Sequence, residues 1–362
     1  MWRTLSACRA HTRVGACCAI LAFCLAAQGA GIEALHKEFV HPPADAKIMM
    51  RWWWFGPAVT KSEMQRELLE MKDAGIGGVE LQSVYPLALD DPQLEFHTVP
   101  YLSNAFLQDV GFAATAAREL GLRFDVTLGS GWPFGGPYVP VTQAAGKLRV
   151  VSVSPQSGEN EVLVPSISLG ERLLAAFLTE PRQPARMLDL NSIRAGRLNI
   201  GPFDGSPSVV FFISSRTGMM VKRAAVGAEG FVADHFDRFA IENYLQAVGD
   251  PLLTAFGKNP PNSAFSDSLE VYGSDWTSDL LQEFQKRRGY DLAPLLPDLI
   301  SDVGPHTEAV RHDWGETLTE LVDERYLTPI REWAKEHGTL FRSQTYGIPA
   351  VSLSSNRLVD LP

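Results

Sequence analysis

Two successive segments near the start of the chain share one pattern: a short run of alternating apolar and polar residues, then a helical stripe, then a glycine. Ile48–Phe55 (IMMRWWWF) reads as a strand. Ser62–Ala74 reads as a helix with Met64, Leu68 and Met71 on one face, ended by Gly75. Gly78–Val84 (GVELQSV) is a second strand, Leu102–Leu120 a second helix ended by Gly121, and Arg123–Leu128 (RFDVTL) a third strand. Strand–helix alternation with short connections predicts βα units and a parallel sheet. Strands covered on both sides usually read as continuous apolar runs. These do not: Val79 and Leu81 alternate with Glu80 and Gln82, and Phe124, Val126 and Leu128 with Asp125 and Thr127. The pattern implies an apolar face under the helices and a polar face lining a barrel lumen, which suits a hydroxyl-rich ligand. A half-exposed antiparallel sheet gives the same alternation, but glycine-ended helices count against it.

At Leu148 the texture changes. Leu148–Val226 is rich in Val, Ser, Pro and Gly and lacks a long helical stripe. Short strand-like runs occur at Leu148–Val153, Glu161–Val164, Leu173–Leu178 and Ser208–Ile213. This predicts a β-sandwich-like module inserted between barrel elements. Gly230–Phe236 (GFVADHF) is expected to return to the barrel as a strand, followed by a helix over Ala240–Val248. Asn262–Asp291 then reads as strand, turn and helix. Along Ser263–Val271, Ala264, Ser266, Ser268 and Glu270 share one face, assigned to the lumen, and Phe265, Asp267, Leu269 and Val271 the other. Thr277 is the expected N-cap, Leu280, Leu281 and Phe284 the stripe, and Gly289 the C′ residue. Val310–His337 is a long helical region with a break expected near Pro329, and Leu340–Tyr346 a last strand. The resulting fold class is α/β: a (β/α)8-type barrel with about six of its eight strands, interrupted by the β module. The expected division is residues 1–30 a signal peptide, 31–147 the first barrel part, 148–226 the inserted module and 227–362 the incomplete second part.

Arg3, Arg9 and Arg13 precede the apolar Ala16–Ala27, a run of signal-peptide length and too short to span a bilayer well. This predicts a secreted or periplasmic protein. All four cysteines (Cys8, Cys17, Cys18 and Cys24) lie in that segment, so the remaining chain offers no disulfide, thiolate ligand or cysteine nucleophile. The net charge of -10 becomes three units more negative without the segment's three arginines. That excludes a nucleic-acid partner, whose phosphates need a basic surface. No later apolar run is long enough to cross a membrane.

Four stretches carry a family resemblance: RWWWFGPAVTKSEMQRELLEMKDAGIGGVEL, LGSGWPFGGPYV, SDSLEVYG with the following DWTSDLLQEFQKRRGYDLAPLLPDL, and LFRSQTYG. Together they resemble glycoside hydrolase family 106, the α-L-rhamnosidases. The resemblance implies a large barrel interrupted by β domains. It implies inverting hydrolysis of terminal rhamnosyl residues on plant polysaccharides such as pectin, and a calcium ion near the sugar. Members of the family are much longer, so the chain reads as the N-terminal part of such an enzyme, with the general base expected beyond Pro362. A non-catalytic carbohydrate-binding relic is the alternative.

Inverting hydrolysis needs two carboxyl groups roughly 6.5–9.5 Å apart. Glu270, which matches the family's acidic residue, is the candidate general acid, with a pKa expected to be raised by burial. A structural salt bridge to an arginine is the competing reading. Asp125 and Glu80 are candidate substrate contacts from the strand faces, as is His235. Gln344, where many relatives carry Glu, can hydrogen-bond a sugar hydroxyl but cannot take a proton from water. Tyr346 follows it in the same motif. Trp132, in a glycine-rich loop past a strand end, and the consecutive Trp52, Trp53 and Trp54 are candidate stacking residues, with core packing the alternative for two of those three. The implied calcium would need hard oxygen ligands. Asp234 is the candidate, with Asp237 and Glu80 if the fold brings them together.

Overall fold

The computed structural model describes residues 31–362 apart from 92, 94–96, 157, 181–182, 204, 303 and 349–350. The signal-like segment and all four cysteines therefore lie outside the described residues. Five strands form a wholly parallel sheet: β1 (Met49–Phe55), β2 (Gly78–Val84), β3 (Arg123–Ser130), β4 (Ser263–Ser266) and β5 (Leu340–Ser343), side by side in that order. Beyond β5, Leu361 makes one further parallel bridge to Arg342.

The connecting helices begin where local chemistry starts them. Thr60 accepts the Glu63 N–H at the start of α1 (Lys61–Asp73), and Ser103 accepts the Phe106 N–H at the start of α2 (Asn104–Glu119). Their buried stripes, Met64 and Leu68 on α1 and Phe106, Val110, Ala113 and Ala117 on α2, pack on the outward faces of the strands. After β4, α3 (Leu280–Arg288) buries Leu280 and Phe284 and ends at Gly289, whose φ of 83° is the left-handed geometry a side chain resists. Its N-cap is Asp279 rather than Thr277, because the Thr277 hydroxyl is committed to the Asp234 carboxylate at 2.9 Å. Thr307–Val322 and Thr328–Glu336 are joined without a break by a π-helical turn, Asp323–Leu327. Pro329 is accommodated there because it closely follows the π-helical turn, which shifts the regular hydrogen-bond register that its missing N–H cannot complete.

The expected barrel strand at Gly230–Phe236 does not form. Phe231–Val232 pairs antiparallel with Gly135–Gly136 outside the parallel sheet, and β4 lies directly beside β3. Between these points the chain leaves the end of β3. Gly146–Val153, Ser208–Arg216, Arg172–Thr179 and Arg186–Met187 build a separate four-stranded sheet, antiparallel throughout, and Glu161–Leu163 pairs with Arg197–Asn199. One face of this sheet buries Val209, Phe211 and Ile213 against Leu188, Leu198 and Ile200 in a core of its own. The other face contributes Ala175, Phe177 and Phe212 to the main core. The excursion thus occupies the loop at the C-terminal end of a parallel strand, where α/β barrels place their chemistry.

Candidate active site

On β1 the alternation puts Trp52 and Trp54 under the helices. Trp54 is 1% exposed and meets Trp52 and Phe106 edge-to-face. It is a core residue, and the expectation of a sugar-stacking Trp54 gives way to Trp53. The lumen face carries Arg51, Trp53 and Phe55 instead.

The lumen floor is ionic. Arg51 Nε meets Glu80 at 2.8 Å, and its Nη1 meets Asp267 at 3.0 Å. Arg342 pairs with Glu80 and, at 3.2 Å, with Asp125. Asn262 Nδ2 donates to Asp125 at 3.0 Å, and burial raises the Asp125 pKa above the usual carboxylate range. Both guanidiniums lie against the Phe265 ring, Arg51 at 5.1 Å and Arg342 at 4.1 Å. Glu80 and Asp125 were candidates for substrate contact; here they are spent in neutralising two half-buried arginines. The pairing also reverses the faces expected after β4. Phe265 and Asp267 point into the lumen, and the Ser266 hydroxyl bonds Tyr326 OH at 2.6 Å on the helix side.

Regular pairing stops at Ser266, and Asp267 accepts the Ser268 N–H at 2.8 Å. The chain then resumes as Leu269–Glu270, which pairs in parallel with Gly347–Ile348. That interruption breaks simple alternation and brings Glu270 to the mouth. Its Oε2 receives a 2.7 Å hydrogen bond from Lys222 Nζ and a 3.2 Å bond from Tyr272 OH, and its Oε1 a 2.9 Å bond from Ser268 Oγ. The side chain is 30% exposed. The ammonium of Lys222, more than any other cause, holds the Glu270 carboxyl below the usual glutamate value. The expected burial-raised pKa is therefore reversed, and Glu270 is ionised in the free site.

Lys222 arrives from the chain that returns from the β module. Its backbone pairs with Trp132: Trp132 N–H donates to Lys222 O at 3.1 Å, and Lys222 N–H to Trp132 O at 2.9 Å. Gly131 makes this approach possible. Its φ is +68°, and a Cβ there would lie 2.0 Å from Lys222 O. Lys222 Nζ also stands 4.1 Å from the Tyr272 ring centroid. Trp132 meets Trp53 edge-to-face at 6.2 Å, Trp53 stacks on Phe55 at 6.1 Å, and Phe55 meets Tyr85 at 5.9 Å. One side of the mouth is thus an aromatic wall and the other the Lys222–Glu270 pair. Lys222 and Tyr85 were not singled out in the sequence, whereas Trp53 was one of the consecutive tryptophans expected to stack or pack. For Trp53 the strand alternation held the signal; for Lys222, 48 residues from Glu270, there was none.

The remaining expected residues divide. Gln344 donates its N–H to Ser266 O at 3.1 Å, and the Tyr346 carbonyl accepts the Leu269 N–H at 3.0 Å, so both border the segment that carries Glu270. His235 is fully buried, stacked on Tyr326 at 4.3 Å, with Nδ1 at 2.9 Å from Ala233 O; burial lowers its pKa to about 4, so it is neutral. Asp234 is also buried and is held by Thr277, the Phe236 N–H and Arg216 at 3.5 Å; burial raises its pKa to about 7. Asp237 caps the following helix by accepting the Phe239 N–H. Glu80 lies in the ionic floor. Asp234, Asp237 and Glu80 do not converge on one point, and among the described residues the group that does is the surface trio His312, Asp313 and Glu316. The residues expected to hold calcium therefore do not fit that ion as a set.

A parallel sheet carrying paired charges on one face, with a carboxylate and indole rings at the C-terminal ends of its strands, places these groups where α/β enzymes place their sites. The alpha-L-rhamnosidase family, glycoside hydrolase family 106, matches residues 40–163 and 183–348. The chain belongs to this family. It is 24% identical over 366 aligned residues to a putative beta-glucuronidase of Formosa agariphila, a match spanning 88% of this chain and 31% of that protein. The fold is similar to that of a rhamnosidase from Novosphingobium sp. PP1Y, with a TM-score of 0.68, 16% identity, and coverage of 91% of this chain and 49% of that one. The family 106 chain described here thus spans about half or less of the length of these relatives.

Proposed function

We propose that this chain supplies one wall of a glycosidase site that removes terminal α-L-rhamnosyl residues, with inversion, from plant polysaccharides such as pectin. The proposal places the protein outside the cytoplasm, secreted or periplasmic, and makes Glu270 one of the two catalytic carboxyl groups. The observation that carries it is the Glu270 carboxylate at the mouth, hydrogen-bonded by Lys222, Ser268 and Tyr272 and exposed enough to meet a ligand. A carboxylate held ionised by an ammonium suits activation of water better than donation of a proton. Trp53 and Trp132 offer apolar faces to a pyranose ring, and Gln344 offers a neutral amide to its hydroxyls.

The test compares Glu270→Gln on an activated aryl α-L-rhamnoside and on a natural disaccharide, in the full-length protein. A water-activating role predicts a loss of roughly 10²–10⁴-fold on both substrates. It also predicts that azide restores turnover of Glu270→Ala, forming the inverted glycosyl azide as the aglycone departs. Sparing of the aryl substrate would instead make Glu270 the proton donor. Equal losses with no azide product would leave it only a binding role.

A further inference from the structure

We infer that Arg223 is an anion-recognition residue of the substrate cleft: it binds a carboxylate or sulfate on the sugar next to the one released. This rests on the glycosidase reading above and specifies its substrate class as an acidic glycan.

Arg223 follows Lys222 directly and shares its rim of the mouth. Its guanidinium lies over two rings of the aromatic wall, 5.4 Å from the Tyr85 centroid and 5.8 Å from the Trp132 centroid. Nη1 donates to Tyr85 OH at 3.0 Å. Arg66, Arg238 and Arg331 close on carboxylates. Among the described residues Arg223 meets only this neutral phenol, which leaves most of its five donors unused in an exposed position.

The backbone has been arranged to put it there. Arg223 has a φ of 56°, an uncommon conformation for a residue with a side chain. It is held in place on both sides: the Tyr85 N–H donates to Arg223 O at 3.1 Å, and Lys222 is paired with Trp132. The neighbouring cation, Lys222, is committed to Glu270 at 2.7 Å. One cation of the rim thus serves the carboxylate of the protein, and the other is left for an anion from outside. A planar guanidinium backed by two rings is fixed in orientation, so that a carboxylate or sulfate can be met by two parallel N–H donors. The aromatic wall beneath it would carry the sugar that bears the anion.

The experiment uses three probes: a rhamnosyl-uronate disaccharide, its carboxyl-reduced neutral counterpart, and a sulfate-ester counterpart. Affinity for each is measured by calorimetry on the full chain and on Arg223→Gln, and kcat/KM is measured wherever turnover occurs. The expected result is roughly tenfold tighter binding of an anionic probe than of the neutral one. That preference, read as the ratio of anionic to neutral affinity within each variant, should disappear in Arg223→Gln and return in part in Arg223→Lys. Whether uronate or sulfate gains more identifies the source of the anion. Equal affinity for anionic and neutral probes, or a preference that survives Arg223→Gln, overturns the inference. If no probe is hydrolysed but the anionic preference follows Arg223, the catalytic reading fails and the anion site stands.

Discussion

Lys222 Nζ stands 2.7 Å from Glu270 Oε2, and this contact joins the chain returning from the β module to the carboxylate at the C-terminal end of the parallel sheet. It predicts a pH dependence. If activity requires ionised Glu270, the acid limb of kcat/KM lies below the ordinary glutamate value, because Lys222 lowers that pKa. Lys222→Met removes the ammonium, so the limb should move to higher pH, while Lys222→Arg should leave it nearly in place. A limb unmoved in Lys222→Met would separate the pair from catalysis.

The two tryptophans Trp53 and Trp54, adjacent in sequence, should behave differently. Trp54 is buried against Trp52 and Phe106, so Trp54→Ala should cost about 3–5 kcal/mol of stability in denaturant titrations. Trp53 lines the mouth beside Trp132. Trp53→Ala should cost little stability and raise KM roughly three- to tenfold, the equivalent of about 1 kcal/mol.

Gly131→Ala should disturb the site from a distance. The added methyl would meet Lys222 O, and the left-handed backbone there resists a side chain. We expect loss of the Trp132–Lys222 pairing and destabilisation on the order of 1–3 kcal/mol. The acid limb of kcat/KM should also shift in the direction of Lys222→Met, because Lys222 no longer reaches Glu270.

Asp234 supplies a stability prediction. Its folded pKa of about 7 is raised by burial above the unfolded value of roughly 3.9. The folded state therefore holds its proton more tightly. The contribution is fully present below the unfolded value and is lost as pH rises through about 7. Asp234→Asn removes that titration. The stability of Asp234→Asn relative to the parent should rise between roughly pH 4 and 7, by on the order of a few kcal/mol, in denaturant titrations at fixed ionic strength.

The parallel strands and their helices were legible because each carries its own periodicity. Gly78–Val84 was read to the residue, and the polar faces of β2 and β3 mark the lumen. What failed to show was set by contacts distant in sequence. Glu80 and Asp125 look like ligands for substrate until Arg51 and Arg342 are seen to neutralise them. Alternation grouped Phe265 with Asp267 correctly but gave the pair to the helix side, because an aromatic ring reads as core until Arg51 and Arg342 are seen to lie against it; beyond Ser266, where pairing is interrupted, alternation itself fails. Gly230–Phe236 has strand composition, but the glycine pair Gly135–Gly136 captures it in an antiparallel bridge. The lowered pKa of Glu270 is set chiefly by Lys222, which enters only through the return of the inserted module.

In the function proposed above, Glu270 is a catalytic carboxylate, ionised in the free site. The pH profile of aryl α-L-rhamnoside hydrolysis by the full-length protein, beside Glu270→Gln with a folding control, decides this. The expected result is an acid limb below the ordinary glutamate range in the parent and roughly a 10²-fold or greater loss in a folded Glu270→Gln, on the order expected for removal of a general base. A folded Glu270→Gln enzyme with parental kcat/KM and an unchanged acid limb would contradict it.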